Sequence, residues 1–478
     1  MPARPRRWLA LCGLIAVLCG LPLCATAARA LPPEVVAALQ RARVPEQALV
    51  VQLLEAGSGR SVLSLREQEA VNPASLAKLV TTAAALDQLG PAWTWTTPVW
   101  LQGPVRDGVL DGSLYIKGSG DPKLVMERLW LLLRRVQQLG VREIRGDIVL
   151  DHSAFAIQEG DAADFDGEGH RPYNVRADAL LLNYKSISLS FVPDAAARVA
   201  RVLVEPPLAG SRVDHSVPLS AGPCDDWRGS LKANLADTSQ LRFAGSYATA
   251  CGERIWPLAD SAPATFNARL IEGLWQEMGG QLRGRVRDGT APADTRPSFE
   301  LQSPPLLEVV REINKFSNNV MAQQLFLTLA LQREPDRPAT VAAARSNLRR
   351  WVTERLGEPS AELVVTNGSG LSREGRVSAR LLARLLLLAH DSPWAAELAS
   401  SLPISGVDGT LRRSRATPGR AHLKTGSLRD VAGVAGYVLS DSGRRYVLVA
   451  IVNHAQANAA RPAIDALVQW AMRDAPAR

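Results

Sequence analysis

Lysine is scarce: the 478-residue chain has seven. The background against which a catalytic lysine must be found is therefore low. Histidine is scarce too, with six residues scattered from His152 to His454. No H-E-x-x-H occurs, which argues against a zinc peptidase and against any resident metal. No G-x-S-x-G elbow occurs either, which argues against a Ser-His-Asp hydrolase. Gly118 and Gly120 do not complete a phosphate loop, because no G-K-[ST] follows, and they read as a turn. No cofactor is implied. Internal repeats, coiled-coil heptads and low-complexity linkers are all missing.

Five cysteines are present. Cys12, Cys19 and Cys24 fall within a leader at 1–30: Arg4, Arg6 and Arg7, then an apolar run from Trp8 to Leu23, then small residues suited to a signal peptidase. That run is short for a membrane span. The leader predicts export across a bacterial inner membrane into the periplasm and leaves a peripheral membrane association open. Only Cys224 and Cys251 remain after cleavage, and in an exported chain they most simply form one disulfide; two buried thiols are the alternative. The 55 Lys and Arg face 47 Asp and Glu. Four of the arginines lie in the leader, so the exported chain is only slightly basic, and no nucleic-acid partner is implied.

Gln47 to Leu54 and Arg60 to Leu65 read as a hairpin about Gly57-Ser58-Gly59. Asn72-Pro73-Ala74-Ser75-Leu76-Ala77-Lys78 then leads into an Ala/Leu-rich helix stopped by Leu89-Gly90-Pro91. Further helices are predicted over Lys123–Gly140, Ala264–Gly280, Pro304–Lys315, Val320–Gln332 and Ala463–Met472. The stretch 151–260 is rich in strands and loops. Ala421–Ser427, Val431–Leu439 and Tyr446–Val452 read as antiparallel strands.

Ser75 and Lys78, three apart, share one helical face and pair a nucleophile with a base. The bland reading is a helix cap and a solvated charge. Ser317 and Asn319 fall between two helices, where capping is again the bland reading. Lys424-Thr425-Gly426-Ser427 lies on a strand. S-x-x-K, S-x-N and K-T-G each occur once, in that order, and together they form the motif set of the penicilloyl-serine transferases.

The long gap from Ser75 to Ser317 resembles the class C low-molecular-mass penicillin-binding proteins, the D-alanyl-D-alanine carboxypeptidases/endopeptidases. Gly118-Ser119-Gly120-Asp121-Pro122, Asn367-Gly368-Ser369-Gly370-Leu371-Ser372-Arg373 and Gly406-Val407-Asp408-Gly409-Thr410-Leu411 are similar to the same family, with Asn367 where Asp is expected. The resemblance implies an α/β (α+β) β-lactamase-like catalytic domain, an antiparallel sheet flanked by helices, over 31–94 and 297–478. It implies inserted domain II over 95–160 and 261–296, and nested inserted domain III over 161–260. It also implies roles. Ser75 attacks the carbonyl between two D-alanines. Lys78, neutral through burial and the charge of Lys424, takes the serine proton. Ser317 relays it to the leaving nitrogen, and Asn319 holds the substrate amide. Backbone N–H groups of Ser75 and Ser427 form the oxyanion hole. Lys424, Thr425, Gly426 and Ser427 bind the peptide and its carboxylate. Peptidoglycan stem peptides are the implied substrate and β-lactams the implied covalent inhibitors. A β-lactamase would share the motifs, but the insertion suits a polymer better than a small drug. A non-catalytic cell-wall scaffold is the other class, disfavoured by the complete motif set.

Overall fold

The structure is a computed structural model that describes residues 30–158, 160–357 and 362–474. The leader read at 1–30, but for its last residue, lies outside the described residues. Among those residues, no helix is long and apolar enough to cross a membrane.

The apolar runs at either end of the chain meet in one sheet. Its order is Ser61–Leu65, Leu49–Glu55, Arg445–Asn453, Val431–Leu439 and Ala421–Leu428, antiparallel throughout. The inner strands are near-continuous hydrophobic sequences because both faces are covered. Alternate residues divide between two cores, as the pleat requires. Val51, Leu53, Val434 and Leu448 face the helices Pro33–Arg41 and Arg461–Met472. Val50, Val447, Val449 and Ile451 face the other way, toward Ala77–Leu89, Leu306–Phe316, Asn319–Arg333 and Ala379–His390. The antiparallel sheet flanked by helices is therefore the fold found. Pro33–Arg41, Val341–Leu356 and Ala379–His390 are helices to which the sequence analysis assigns nothing.

Between Trp95 and Leu306 the chain leaves this body and returns at the same place. Strand Thr96–Gln102 leads out and Phe299–Gln302 leads back, paired antiparallel. At their base Trp95 N–H donates to Ser303 Oγ at 3.0 Å, and Ser303 N–H donates to Trp95 O at 2.9 Å. Adjacent ends let a long excursion be spliced in without disturbing the parent sheet. The outgoing and returning strands belong to a five-stranded mixed sheet in the order Val286–Asp288, Ile148–Asp151, Ser113–Lys117, Thr96–Gln102, Phe299–Gln302. A second five-stranded sheet holds Ser186–Asp194, Val199–Glu205, Ser216–Ser220, Tyr247–Ala248 and Arg254–Ala259. One hydrophobic cluster, from Val99 through Ile148, Leu189 and Phe191 to Trp275, runs through both.

Cys224 and Cys251, 27 positions apart, are bonded with S–S 2.02 Å. Closing such a loop is worth roughly 3 kcal/mol in the chain-entropy model. The double substitution Cys224→Ser/Cys251→Ser is expected to lower the unfolding free energy of the inserted region by about that amount, read from denaturant melts. An unchanged midpoint would contradict a stabilising role.

Candidate active site

The site is built where the Asn72–Lys78 stretch meets the edge strand Ala421–Leu428. Sequence reasoning puts Ser75 at a helix N-terminus. The structure puts it in a 3-10 turn, Ala74–Leu76, that feeds the helix Ala77–Leu89. The turn is bent at Ala74, whose φ of 47° lies in the left-handed region that a non-glycine residue enters at a cost of about 1–3 kcal/mol. Asn72 holds the bend. Its Oδ1 accepts from Ala74 N–H at 2.9 Å, and its backbone N–H and C=O are bound reciprocally by the Asn453 side chain. Asn453 ends a central strand, so the Ser75 turn is tied directly to the sheet.

Lys78 is fully buried. Its Nζ lies 3.0 Å from Ser75 Oγ, 2.6 Å from Asn319 Oδ1 and 2.6 Å from the backbone oxygen of Ser369. Burial first, and the charge of Lys424 second, push the Lys78 amine well below the ordinary lysine range. A neutral amine has two N–H donors and one lone pair. Asn319 Oδ1 and Ser369 O can only accept, so they take both donors. The lone pair is left facing the Ser75 hydroxyl.

The Ser369 carbonyl is aimed by Asn367, the position where the resemblance expects Asp. Asn367 Oδ1 accepts from Ser369 N–H, Ser369 Oγ–H and Gly370 N–H at 3.0–3.2 Å, while Nδ2 donates to Leu371 O at 3.0 Å. A carboxylate could make the first three bonds but not the fourth. Gly370 is required here, since a Cβ would stand 1.9 Å from Ala74 O.

Ser317 ends the helix Leu306–Phe316 with a left-handed φ of 58°, and Asn318 caps the next helix through Met321 N–H. The capping that sequence offered as the bland reading is thus present at Asn318, and it leaves Ser317 and Asn319 free to reach the cleft. Lys424 Nζ donates to Ser317 Oγ at 2.9 Å. Ser317 is therefore held by the second lysine, while Asn319 is held by the first. Asn319 Nδ2 donates to Tyr173 O at 3.0 Å, a carbonyl from the inserted region. Five residues along the same helix, Gln324 is bonded to both backbone groups of Asp178 at 2.8–2.9 Å and to Gly120 O at 3.1 Å. The insertion thus docks on the helix that carries Asn319.

Lys424 is fully buried, and burial pushes its amine down to about 7. Its strand is an edge strand, bridged at the N-terminal end through His422 and Ile404 and open beyond. Gly426 lets it run against the Ser75 turn, because a Cβ there would stand 2.6 Å from Pro73 O. Thr425 Oγ1 lies 2.7 Å from Thr410 Oγ1. The Thr410 loop is anchored by Lys315, a buried lysine that donates to Asp408 at 2.6 Å. Ser427 is exposed at the mouth of the cleft. His422, two residues before Lys424 on the same strand, places Nδ1 3.1 Å from the carbonyl of Ala399. Tyr173 belongs to the site and was not singled out in the sequence; Asn72, Thr410 and Asn367 lie in stretches quoted there, Asn367 as a departure from the expected Asp, but their contacts were not foreseen.

A family model described as the D-Ala-D-Ala carboxypeptidase 3 (S13) family matches residues 33–474. A D-alanyl-D-alanine carboxypeptidase of Actinomadura sp. (strain R39) is 29% identical over 454 residues, 89% of this chain and 82% of that protein. The D-alanyl-D-alanine carboxypeptidase DacB of Haemophilus influenzae is 24% identical over 389 residues, 80% of each chain. The crystal structure of penicillin binding protein 4 from the same organism matches with TM-score 0.72 at 21% identity, over 91% of this chain and 99% of that one. A predatory endopeptidase from Bdellovibrio bacteriovorus matches with TM-score 0.54 at 17% identity, over 89% and 93%. At such identities the structural likeness establishes the fold, which is the one the resemblance implied. The family match runs from the first helix to beyond the last, and the chain belongs to the D-Ala-D-Ala carboxypeptidase 3 (S13) family.

Proposed function

We propose that Ser75 is the nucleophile with which this serine-type D-Ala-D-Ala carboxypeptidase/endopeptidase opens peptidoglycan stem peptides. The observation that carries the assignment is the donor count at Lys78: both N–H groups of a neutral amine are committed, so its lone pair faces Ser75 Oγ. The cycle follows. Ser75 Oγ attacks the D-alanine carbonyl as its proton passes to Lys78. Backbone N–H groups of Ser75 and Ser427 stabilise the oxyanion. Ser317, held by Lys424, protonates the leaving nitrogen, and the lysine pair, one of which has just gained the Ser75 proton, resupplies it. Water then hydrolyses the ester along the same proton path. The open edge of the Ala421–Leu428 strand receives the peptide as an added strand, with Asn319 on its other side. Lys424 and Thr425 bind the terminal carboxylate.

The same reading assigns 31–94 and 297–478 to the catalytic domain, 95–160 and 261–296 to one insertion, and 161–260 to a second nested within it. The leader sequence and the disulfide support a periplasmic site of action.

A β-lactam presents an amide of the same kind whose leaving group stays tethered, so fluorescent penicillin is expected to label the protein covalently. Ser75→Ala abolishes the label, Lys78→Ala slows labelling severely, and Ser317→Ala slows it less. Circular dichroism is unchanged, because each substitution removes only a few atoms. An adduct mapped by mass spectrometry to another serine overturns the assignment.

The lysines also predict a pH profile. Acylation rises with pH as Lys78 loses its proton and falls as Lys424 loses its own, near 7 in the free enzyme. Lys424→Met removes the repulsion that helps to hold Lys78 neutral. The Lys78 pKa then rises, and the acid limb of the labelling rate moves to higher pH. An acid limb that stays in place contradicts the coupling.

A further inference from the structure

Arg461 opens the closing helix Arg461–Met472 and is exposed. Its Nη2 donates to Ser427 Oγ at 2.5 Å and to Asn458 Oδ1 at 3.0 Å. Asn458 is fixed in turn, since its Nδ2 donates to the carbonyls of Leu428 and Arg429 at 3.0 and 3.2 Å. Among the described residues Arg461 forms no ion pair. An unpaired arginine on a surface is ordinary in itself. The hydroxyl it touches is not, because Ser427 closes the K-T-G-S run at the open edge of the cleft.

A guanidinium has donors and no acceptor. Ser427 Oγ must therefore accept from Arg461, which leaves its own proton to donate. The protein acceptor within reach is Asn458 Oδ1, at a long 3.4 Å and already engaged by Arg461. The hydroxyl is a donor backed by a positive charge and lacking a good acceptor. Two residues along the strand, Thr425 pairs with Thr410, and between them two hydroxyls share one hydrogen bond. Lys424 is buried beneath, without a carboxylate partner among the described residues. Two unpaired cationic side chains and a row of hydroxyls at one end of the cleft are complementary to a carboxylate.

We propose that Arg461 is a specificity-determining residue that reads the free α-carboxylate of the residue whose amine leaves, acting through the Ser427 hydroxyl and by its charge. This rests on the reading of Ser75 as nucleophile and of Lys424–Ser427 as the substrate strand. It makes the enzyme selective for acids over amidated peptide ends.

The test compares an N-acylated peptide ending in D-Ala-D-Ala with the same peptide ending in D-Ala-D-alaninamide. Arg461→Gln is expected to lower kcat/KM for the acid about tenfold or more, as loss of a charge-assisted hydrogen bond would. The amide is hydrolysed within about twofold of the unsubstituted protein, by the same comparison of bond strengths. Arg461→Lys recovers part of the loss, since it restores charge without the planar fork. An equal fall on both peptides would mean that Arg461 only supports the strand, and an unchanged acid-to-amide ratio would mean that it does not read the carboxylate. Failure of the underlying reading is distinct: Ser75→Ala would then still turn over both peptides.

Discussion

Two lysine side chains, Lys78 and Lys424, are buried completely, and neither forms an ion pair among the described residues. Taking an unpaired ammonium out of water is expensive, and the usual response is loss of the proton. In the proposed mechanism only one of the two amines has to lose it. The charge left on Lys424 makes Lys78 the easier to deprotonate. The polar groups around the pair are fitted to that asymmetry. Asn319 Oδ1 and the Ser369 carbonyl bind a neutral Lys78, and the Ser317 hydroxyl with the Thr425 carbonyl binds Lys424. Among the described residues no carboxylate forms an ion pair with Lys78 that would favour its proton. A buried Asp or Glu beside Lys78 would favour the charged ammonium and so oppose the proposed role as base.

The fold's task is to bring these groups together from distant parts of the chain. Ser75 comes from the 3-10 turn Ala74–Leu76, Lys78 from the helix Ala77–Leu89 that it feeds, Ser317 and Asn319 from a helix junction, and Lys424 from the edge strand. The excursion from Trp95 to Ser303 leaves and returns through one hydrogen-bonded pair of residues. Its bulk therefore does not separate the motifs in space. It also contributes to the site, because Tyr173 O receives the Asn319 amide and Gln324 clasps the Asp178 backbone. Lys315 does the corresponding task on the other side, joining the Ser317 helix to the Thr410 loop through Asp408.

The groups legible in the sequence are those whose chemistry needs a particular side chain at short spacing: Ser75 with Lys78, Ser317 with Asn319, and Lys424 through Ser427. The strand Val431–Leu439 was legible to the residue because its apolar run ends at a turn. Other contributors act through backbone carbonyls, as Ser369 and Tyr173 do, and any residue type supplies a carbonyl. The bend at Ala74 has no residue signature, since its left-handed φ is imposed by Asn72 and Asn453 rather than by a glycine. Asn367 departs from the expected Asp. Its place becomes intelligible only through the bond from Nδ2 to Leu371 O, a contact that spacing does not reveal.

With seven lysines in the chain, the protonation state of Lys78 can be observed directly. Lysine labelled with 13C at the ε carbon, followed by NMR across pH and assigned with Lys78→Arg and Lys424→Arg variants, resolves the two buried amines. The account predicts that Lys78 loses its proton well below the ordinary lysine range and before Lys424, and that the Lys78 titration moves upward when Lys424 is replaced by Met. A Lys78 resonance that titrates near the unperturbed value of about 10.4, or after Lys424, would contradict it.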